Sequence, residues 1–184
     1  MDMRNKLLNR LLANTSALII SSLLATSASA VVDKAPACPD VFANTPLSLQ
    51  YHDNGNGTIT DQETGYTWFR CSAGQVWSDG RCKGRAILRN FDDAQAWAAQ
   101  AQVANLSNWR IPEIDEMSSI IEKDCRSPAV DINAFPGIEP ESYWSNKDNF
   151  WSSSMAWSLF FFKGDYYSQQ GKVFELRFML IEDK

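Results

Sequence analysis

Residues 47–60 read Leu47-Ser48-Leu49-Gln50-Tyr51-His52-Asp53-Asn54-Gly55-Asn56-Gly57-Thr58-Ile59-Thr60, and this stretch sets the fold class. Leu47, Leu49 and Tyr51 alternate with polar residues, which is the period of a half-buried strand. Asp53 to Gly57 is a run of turn formers, after which Thr58-Ile59-Thr60 resumes with β-branched residues. Two such segments around an Asn-Gly turn predict a β-hairpin. A second turn at Glu63-Thr64-Gly65 leads into a further strand at Tyr66-Thr67-Trp68-Phe69.

Outward from this hairpin the period changes. Asn90 is placed to cap a helix whose first turn holds Asp92 and Asp93, with Ala94, Trp97, Ala98, Ala101 and Ala104 along one stripe. A second helix is predicted from Pro112, with Glu113, Asp115 and Glu116 at its positive end and Ile114, Met117, Ile120 and Ile121 facing inward. The last forty residues turn to β again, at Tyr143-Trp144, Phe150-Trp151, Ala156 to Phe162 and Val173 to Ile181. The sum is an α+β domain with strands at both ends and two helices between them.

The chain has 184 residues, with 17 Lys and Arg against 22 Asp and Glu, for a net charge of −5. That balance argues against a nucleic-acid partner, which would need a basic face. Residues 1–30 have the pattern of a secretory signal peptide, with Arg4, Lys6 and Arg10, an apolar run from Leu11 to Leu24, and Ala28-Ser29-Ala30. Cleavage after Ala30 removes three basic residues and one acidic, taking the charge to −7 over 154 residues. No later stretch has the length and apolarity of a membrane span. Export to the periplasm, the cell surface or the medium is therefore expected. Residues 31–45, punctuated by Pro36, Pro39 and Pro46 just beyond, read as a lead-in to a domain over 46–184.

All four cysteines, Cys38, Cys71, Cys82 and Cys125, follow the leader, and an even count in an exported chain predicts two disulfides. Three pairings are possible. Cys71–Cys82 with Cys38–Cys125 is favoured, because the first closes a short Gly-rich loop. No cysteine spacing matches a zinc knuckle or a redox dithiol. A lone His and no Ser or Cys motif around it leave little for catalysis, so a non-enzymatic chain without cofactor is expected. Residues His52 to Glu63 imitate a calcium loop, but His52 stands where an Asp is required and the flanks are strands, so no metal is assigned.

Three groups of residues make the chain similar to a known family. They are Asp53-Asn54-Gly55-Asn56-Gly57-Thr58-Ile59-Thr60-Asp61 with Thr64-Gly65-Tyr66-Thr67-Trp68, then Arg70-Cys71-Ser72-Ala73-Gly74-Gln75-Val76-Trp77, and then Asn108-Trp109-Arg110-Ile111-Pro112-Glu113-Ile114-Asp115-Glu116-Met117. Tyr143-Trp144-Ser145 and Ala156-Trp157 continue the order. The chain resembles the Lcl C-terminal domain family, the module named after the C-terminal part of a bacterial collagen-like adhesin, although it carries no Gly-X-Y stalk. The resemblance implies a C-type-lectin-like fold. It also implies binding to a glycan or sulfated polysaccharide, or a role as an interaction module for a surface or periplasmic protein.

Two candidate binding groups follow from the residues themselves. Arg70, Arg81, Lys83, Arg85 and Arg89 crowd basic charge into a mostly acidic chain, several of them within or just beyond the Cys71–Cys82 loop. Such a loop offers bidentate donors for sulfate or carboxylate. Trp144, Trp151, Tyr166 and Tyr167 form a late aromatic group suited to stacking on sugar rings, with Tyr166 and Tyr167 the better exposed and the tryptophans expected in the core.

Overall fold

The structure is a computed structural model describing residues 35–183; the leader read over residues 1–30 lies outside the described residues. The elements in chain order are α1 (Cys38–Phe42), β1 (Tyr51–Asp53), β2 (Thr58–Asp61), β3 (Thr67–Phe69), β4 (Val76–Ser78), β5 (Arg81–Lys83), α2 (Phe91–Gln100), β6 (Trp109–Arg110), α3 (Ile114–Ser118), β7 (Ser142–Asp148), β8 (Met155–Phe160), β9 (Asp165–Gly171), β10 (Arg177–Phe178) and β11 (Ile181–Glu182). They form a five-stranded sheet in the order β1-β2-β3-β11-β6, a four-stranded sheet β10-β7-β8-β9, and the β4-β5 hairpin. The protein is α+β, weighted towards β.

The opening hairpin is present, with Tyr51 opposite Asp61 and Asp53 opposite Ile59. Its turn is held by its own side chains: Gly55 N donates to Asp53 Oδ1 (2.8 Å) and Thr58 N to Asn56 Oδ1 (3.0 Å). The asparagines that imitate a calcium loop are thus hairpin residues. The strand predicted from Leu47 begins only at Tyr51, because Tyr51 N and Gln50 N turn back to Ser48 and leave Leu49 outside the ladder.

The terminal strand β11 runs between β3 and β6, with Ile181 opposite both Trp68 and Arg110. The C-terminus therefore closes the sheet that the first hairpin opens. Strand alternation then feeds two cores. Trp68, Tyr143 and Ile181 join Met117, Phe135 and Phe161 in one cluster. Their chain neighbours Phe69, Trp144 and Leu180 join Phe91, Trp109 and Phe178 in the other. Adjacent residues on a strand point to opposite faces, so both faces of these strands are buried.

Helix α2 matches its sequence signal at its start, where Asn90 Oδ1 accepts from Asp93 N at 2.9 Å and Phe91, Ala94 and Ala98 face inward, but it ends at Gln100, with Ala101 extended and Ala104 at positive φ beyond it. Helix α3 is one turn and starts at Ile114, with Glu113 as cap rather than Pro112 as first residue. Glu113 and Glu116 form a capping box there, and it outcompetes an earlier start. Two further differences lie in the second sheet. Phe150 and Trp151 belong to the β7–β8 turn, and polar residues 165–171 form the edge strand β9, which an apolar pattern does not reveal.

The disulfides are Cys38–Cys125 and Cys71–Cys82. The first stitches the lead-in to the body, where Cys38 N also donates to Arg126 O (2.7 Å) and Asn133 Nδ2 to Phe42 O (3.0 Å). The lead-in from residue 35 is packed structure continuous with the domain.

Candidate functional site

Hairpin β4–β5 turns through Asp79-Gly80, both at positive φ (53° and 73°), the two-residue turn suited to strand twist. Its register, Val76 opposite Lys83 and Ser78 opposite Arg81, places these four residues on one face and Trp77 with Cys82 on the other. The inner face is tightly seated. A Cβ at Gly57 would lie 2.5 Å from Trp77 Cβ, and one at Gly137 would lie 2.7 Å from Cys82 Sγ.

The five basic residues do not act as one group. Arg70 is only 6% exposed. Its Nε donates to Ala134 O (3.0 Å), its second terminal nitrogen to Asn133 O, and its first pairs with Asp53 Oδ2 at 2.7 Å. The guanidinium also lies 4.3 Å from the Trp77 ring centre. Arg70 is a structural cation, and its burial withdraws it from any surface ligand. Lys83 pairs with Asp79, whose carboxyl is held below the usual carboxylate range by hydrogen bonds from Lys83 and then Ser78. Arg89 is exposed and donates to Leu88 O at 2.8 Å. Arg81 and Arg85 are exposed with no side-chain partner among the described residues, and so are the two free cations of the group.

The late aromatics also divide. Trp144 is fully buried, its Nε1 donating to Arg89 O at 2.9 Å, whereas Trp151 is almost fully exposed and so departs from the expected core position. Tyr166 and Tyr167 are 49% and 53% exposed, and as neighbours on β9 they serve opposite faces. Tyr167 borders a shallow depression with Ser142, Phe160 and Gln170.

Tyr166 has the better-built surroundings. It lines a cavity of about 240 Å³ with Ile114, Asp115, Ser118, Lys147 and Trp157. Its hydroxyl donates to Ser118 Oγ at 3.0 Å, which fixes the ring against α3. Lys147 Nζ sits 5.3 Å from the Trp157 ring centre and makes no ion pair among the described residues, although its charge acts on the nearby Glu113 carboxyl. Short helix α3 presents Asp115 and Ser118 side by side, three residues apart. The cavity thus joins two aromatic rings, one ammonium outside any ion pair, one exposed carboxylate and a hydroxyl. Of these, sequence reasoning found only Tyr166. The Asp115/Ser118 spacing was a visible signal, but the pairing of β7 with β8 that brings Lys147 to Trp157 was not.

Rigid ion pairs hold α3 beneath the cavity. Arg110 grips Glu116 with two bonds, of 2.7 and 2.6 Å, and reaches Asp183 Oδ1 at 3.2 Å. Burial raises the Glu116 pKa, but the hydrogen bonds from Arg110 and Glu113 N outweigh it and leave the group below its ordinary value. Beneath the hairpin base, Ser72 Oγ donates to Gly137 O (2.8 Å) and Tyr143 OH lies 2.7 Å from Ser72 Oγ. Burial pushes that phenol up to about 12, so it stays protonated.

No group of three or more His, Cys, Asp or Glu is placed to hold a metal ion among the described residues. None of their helices is long and apolar enough to cross a membrane. The family model described as the Lcl C-terminal domain matches residues 57–181. The chain belongs to the Lcl C-terminal domain family. The match takes in the Arg70 anchor, the basic hairpin and the Tyr166 cavity. No curated protein and no solved structure matches the chain. The paired cysteines of this Lcl C-terminal domain fit an oxidising, extracytoplasmic setting.

Proposed function

We propose that this Lcl C-terminal domain is an exported, non-catalytic binding module of C-type-lectin-like architecture whose ligand is an acidic glycan. The observation that carries the reading is the Tyr166 cavity. A pyranose offers an apolar C–H face to an aromatic ring and hydroxyls to its rim, and Trp157 and Tyr166 sit beside Asp115 and Ser118. Lys147, which makes no ion pair among the described residues, gives the site a preference for a sugar bearing carboxylate or sulfate. Arg81 and Arg85, equally free, supply a second electrostatic contact to a long anionic polymer. They attract it against the net negative charge of the chain.

The test is a glycan array with sulfated and uronic-acid polymers, followed by titration of hits. Binding is expected to weaken as salt rises. Tyr166→Ala is expected to reduce affinity about tenfold or more, the loss of one stacked ring. Lys147→Gln is expected to erase the preference for acidic over neutral sugars, and Arg81→Glu with Arg85→Glu to weaken binding and flatten its salt dependence. A blank array, or full affinity in Tyr166→Ala, refutes the reading.

A further inference from the structure

Residues 94–109 contain no Asp, Glu, Lys or Arg, in a chain that is 21% charged. The run covers most of α2 and the loop into β6, and Gln100, Gln102, Asn105, Ser107 and Asn108 of it are exposed. Charge is the usual covering of a solvated face. Here amides and hydroxyls take its place.

The loop is built around a strained turn. Val103 and Leu106 bond to each other twice, N to O at 3.1 and 2.9 Å, across Ala104 and Asn105. Both central residues are at positive φ, 55° and 63°, in a two-residue turn that favours Asn and Gly. Asn105 suits its place, whereas Ala104 holds a left-handed conformation that a residue with a Cβ seldom adopts. Side chains from two other segments pin it there. Trp109 Nε1 donates to Val103 O and Leu106 O, both at 3.2 Å, and Asn56 Nδ2 donates to Ala104 O at 3.2 Å. Strain held in place from outside the turn is a mark of geometry kept for use.

Two depressions flank this turn. One, of about 470 Å³, is lined by Gln102, Asn105, Leu106 and Ser107. The other, of about 220 Å³, lies between Val103-Ala104 and the side chains of Asn56, Gln75 and Trp77. Gln102 borders both, so they are neighbours across one side chain. Gln102, Asn105 and Ser107 make no side-chain hydrogen bond among the described residues. Gln75 Oε1 accepts from Ser72 N at 3.0 Å, while its amide nitrogen has no acceptor among those residues. Trp77 is held by the Arg70 guanidinium, 4.3 Å from its ring centre, and its indole N–H likewise has no acceptor there.

The chemistry of the groove chooses its ligand. No charged side chain lines either depression, so nothing draws an acidic polymer or a cation to it. An apolar ligand would strand the amides without partners. An extended peptide would need free backbone groups on the wall. Val103 O and Leu106 O each already accept two bonds, their N–H groups are spent on each other, and Ala104 O is taken by Asn56. Side-chain amides remain, each placing a donor beside an acceptor. Adjacent sugar hydroxyls, which both donate and accept, match that pattern, and Leu106, Val103 and the Trp77 ring suit the C–H face between them.

We infer that the groove beside the 103–106 turn is a subsite for an uncharged saccharide. It shares no lining residue with the Tyr166 cavity and does not depend on the reading of that site.

Amide NMR spectra of the isotope-labelled processed chain, titrated with methyl glycosides of glucose, galactose, mannose and N-acetylglucosamine, test this. With at least one sugar the side-chain amides of Gln75, Gln102 and Asn105 and the Trp77 indole N–H are expected to shift. The affinity should be the same at low and high salt, since no charge takes part. Gln102→Ala with Asn105→Gly is expected to weaken that sugar about tenfold or more through lost hydrogen bonds. Glycine at 105 accepts the positive φ, so the variant should otherwise keep the wild-type spectrum. No shift at these groups with any of the four sugars overturns the inference, as does undiminished affinity in the double variant. Shifts there with an uncharged Gly-Ala peptide, and with none of the sugars, also overturn it by assigning the groove to peptides. Tyr166→Ala is expected to leave the sugar shifts unchanged, so this subsite and the acidic-glycan site can each fail alone.

Discussion

Two hairpins project from this domain and are built in opposite ways. Hairpin β4–β5 has three-residue strands, forms its own two-stranded sheet, and carries Arg81 and Lys83 outward. Hairpin β7–β8 has longer strands flanked by β10 and β9, and carries Phe150 and Trp151 at its turn. A two-stranded ribbon is marginal alone, whereas four strands over a core support themselves. The first therefore depends on a covalent tie, Cys71–Cys82, and on Arg70 stacked against Trp77. The second needs no such tie, because its ladders are joined by Tyr143, Trp144, Ala156 and Leu159 buried in the two cores. The fold invests its special anchoring where the backbone is weakest, and each anchor can be removed to test this.

The largest effect is expected from Arg70→Ala. It strips donors from two carbonyls, Asn133 O and Ala134 O, and removes the stacked guanidinium from Trp77. A loss of about 4 kcal/mol is expected in urea denaturation, from two under-satisfied carbonyls and a lost cation–π contact. Arg81→Ala, equally cationic but free, should change stability by less than about 0.5 kcal/mol. Equal effects at the two sites would contradict the division of the basic residues into one structural and two free cations.

Next comes the paired substitution Cys71→Ala with Cys82→Ala. The bridge spans a sequence separation of 11 residues, and loop entropy gives about 3 kcal/mol for such a closure. The loss should be local. Hydrogen exchange is expected to accelerate at Trp77 and Lys83 while Trp144 and Leu159, in the four-stranded sheet, keep their protection. Uniform loss of protection would mean that the hairpin is no separate unit.

The two hairpins also differ in how far the sequence disclosed them. Cysteine parity marked the Cys71–Cys82 tie locally, but the stretch it closes reads as a Gly-rich loop and not as the hairpin β4–β5. Likewise Asn90 marked α2, and Asn54 to Gly57 marked the first turn, because capping and turn chemistry act over a few residues. What the sequence hid is long-range. The insertion of β11 between β3 and β6, and the meeting of Lys147 with Trp157 beside Tyr166, follow from pairings no local pattern encodes. Arg70 was misplaced for a related reason. A basic residue beside a basic loop reads as surface, and only the fold brings Asp53, Asn133 and Ala134 around it. Trp151 was misplaced by composition, since Trp is buried on average.

Carboxylates give a smaller, pH-resolved contrast. Glu116, grasped by Arg110, sits below its ordinary pKa, so its contribution is full above the unfolded value of about 4.3 and fades as pH falls through the folded value. Glu122 is raised by burial and then by Asp131 and Asp124. Its contribution is present at acid pH and lost as pH rises through the folded value. Glu122→Gln should therefore stabilise the protein at pH 7, with the gain disappearing towards pH 4, while Glu116→Gln destabilises at pH 7 and less so in acid. Thermal melts of both variants across that range check the opposite signs.

The smallest stability effect is expected from the most drastic-looking change, Phe150→Ser with Trp151→Ser. Two large aromatics vanish, yet each is nearly as exposed as in an extended chain, so folding gains almost nothing from them. A shift within about 0.5 kcal/mol is expected. Trp144→Ser, one strand away and fully buried against Phe91, removes a T-shaped contact at 5.3 Å and opens a cavity, costing about 3–5 kcal/mol. The same residue type thus separates by exposure alone. If the double variant proves strongly destabilised, the tip must pack against something in solution, and oligomer mass at matched concentrations would then identify a second copy. If it does not, folding gains nothing from these two aromatics.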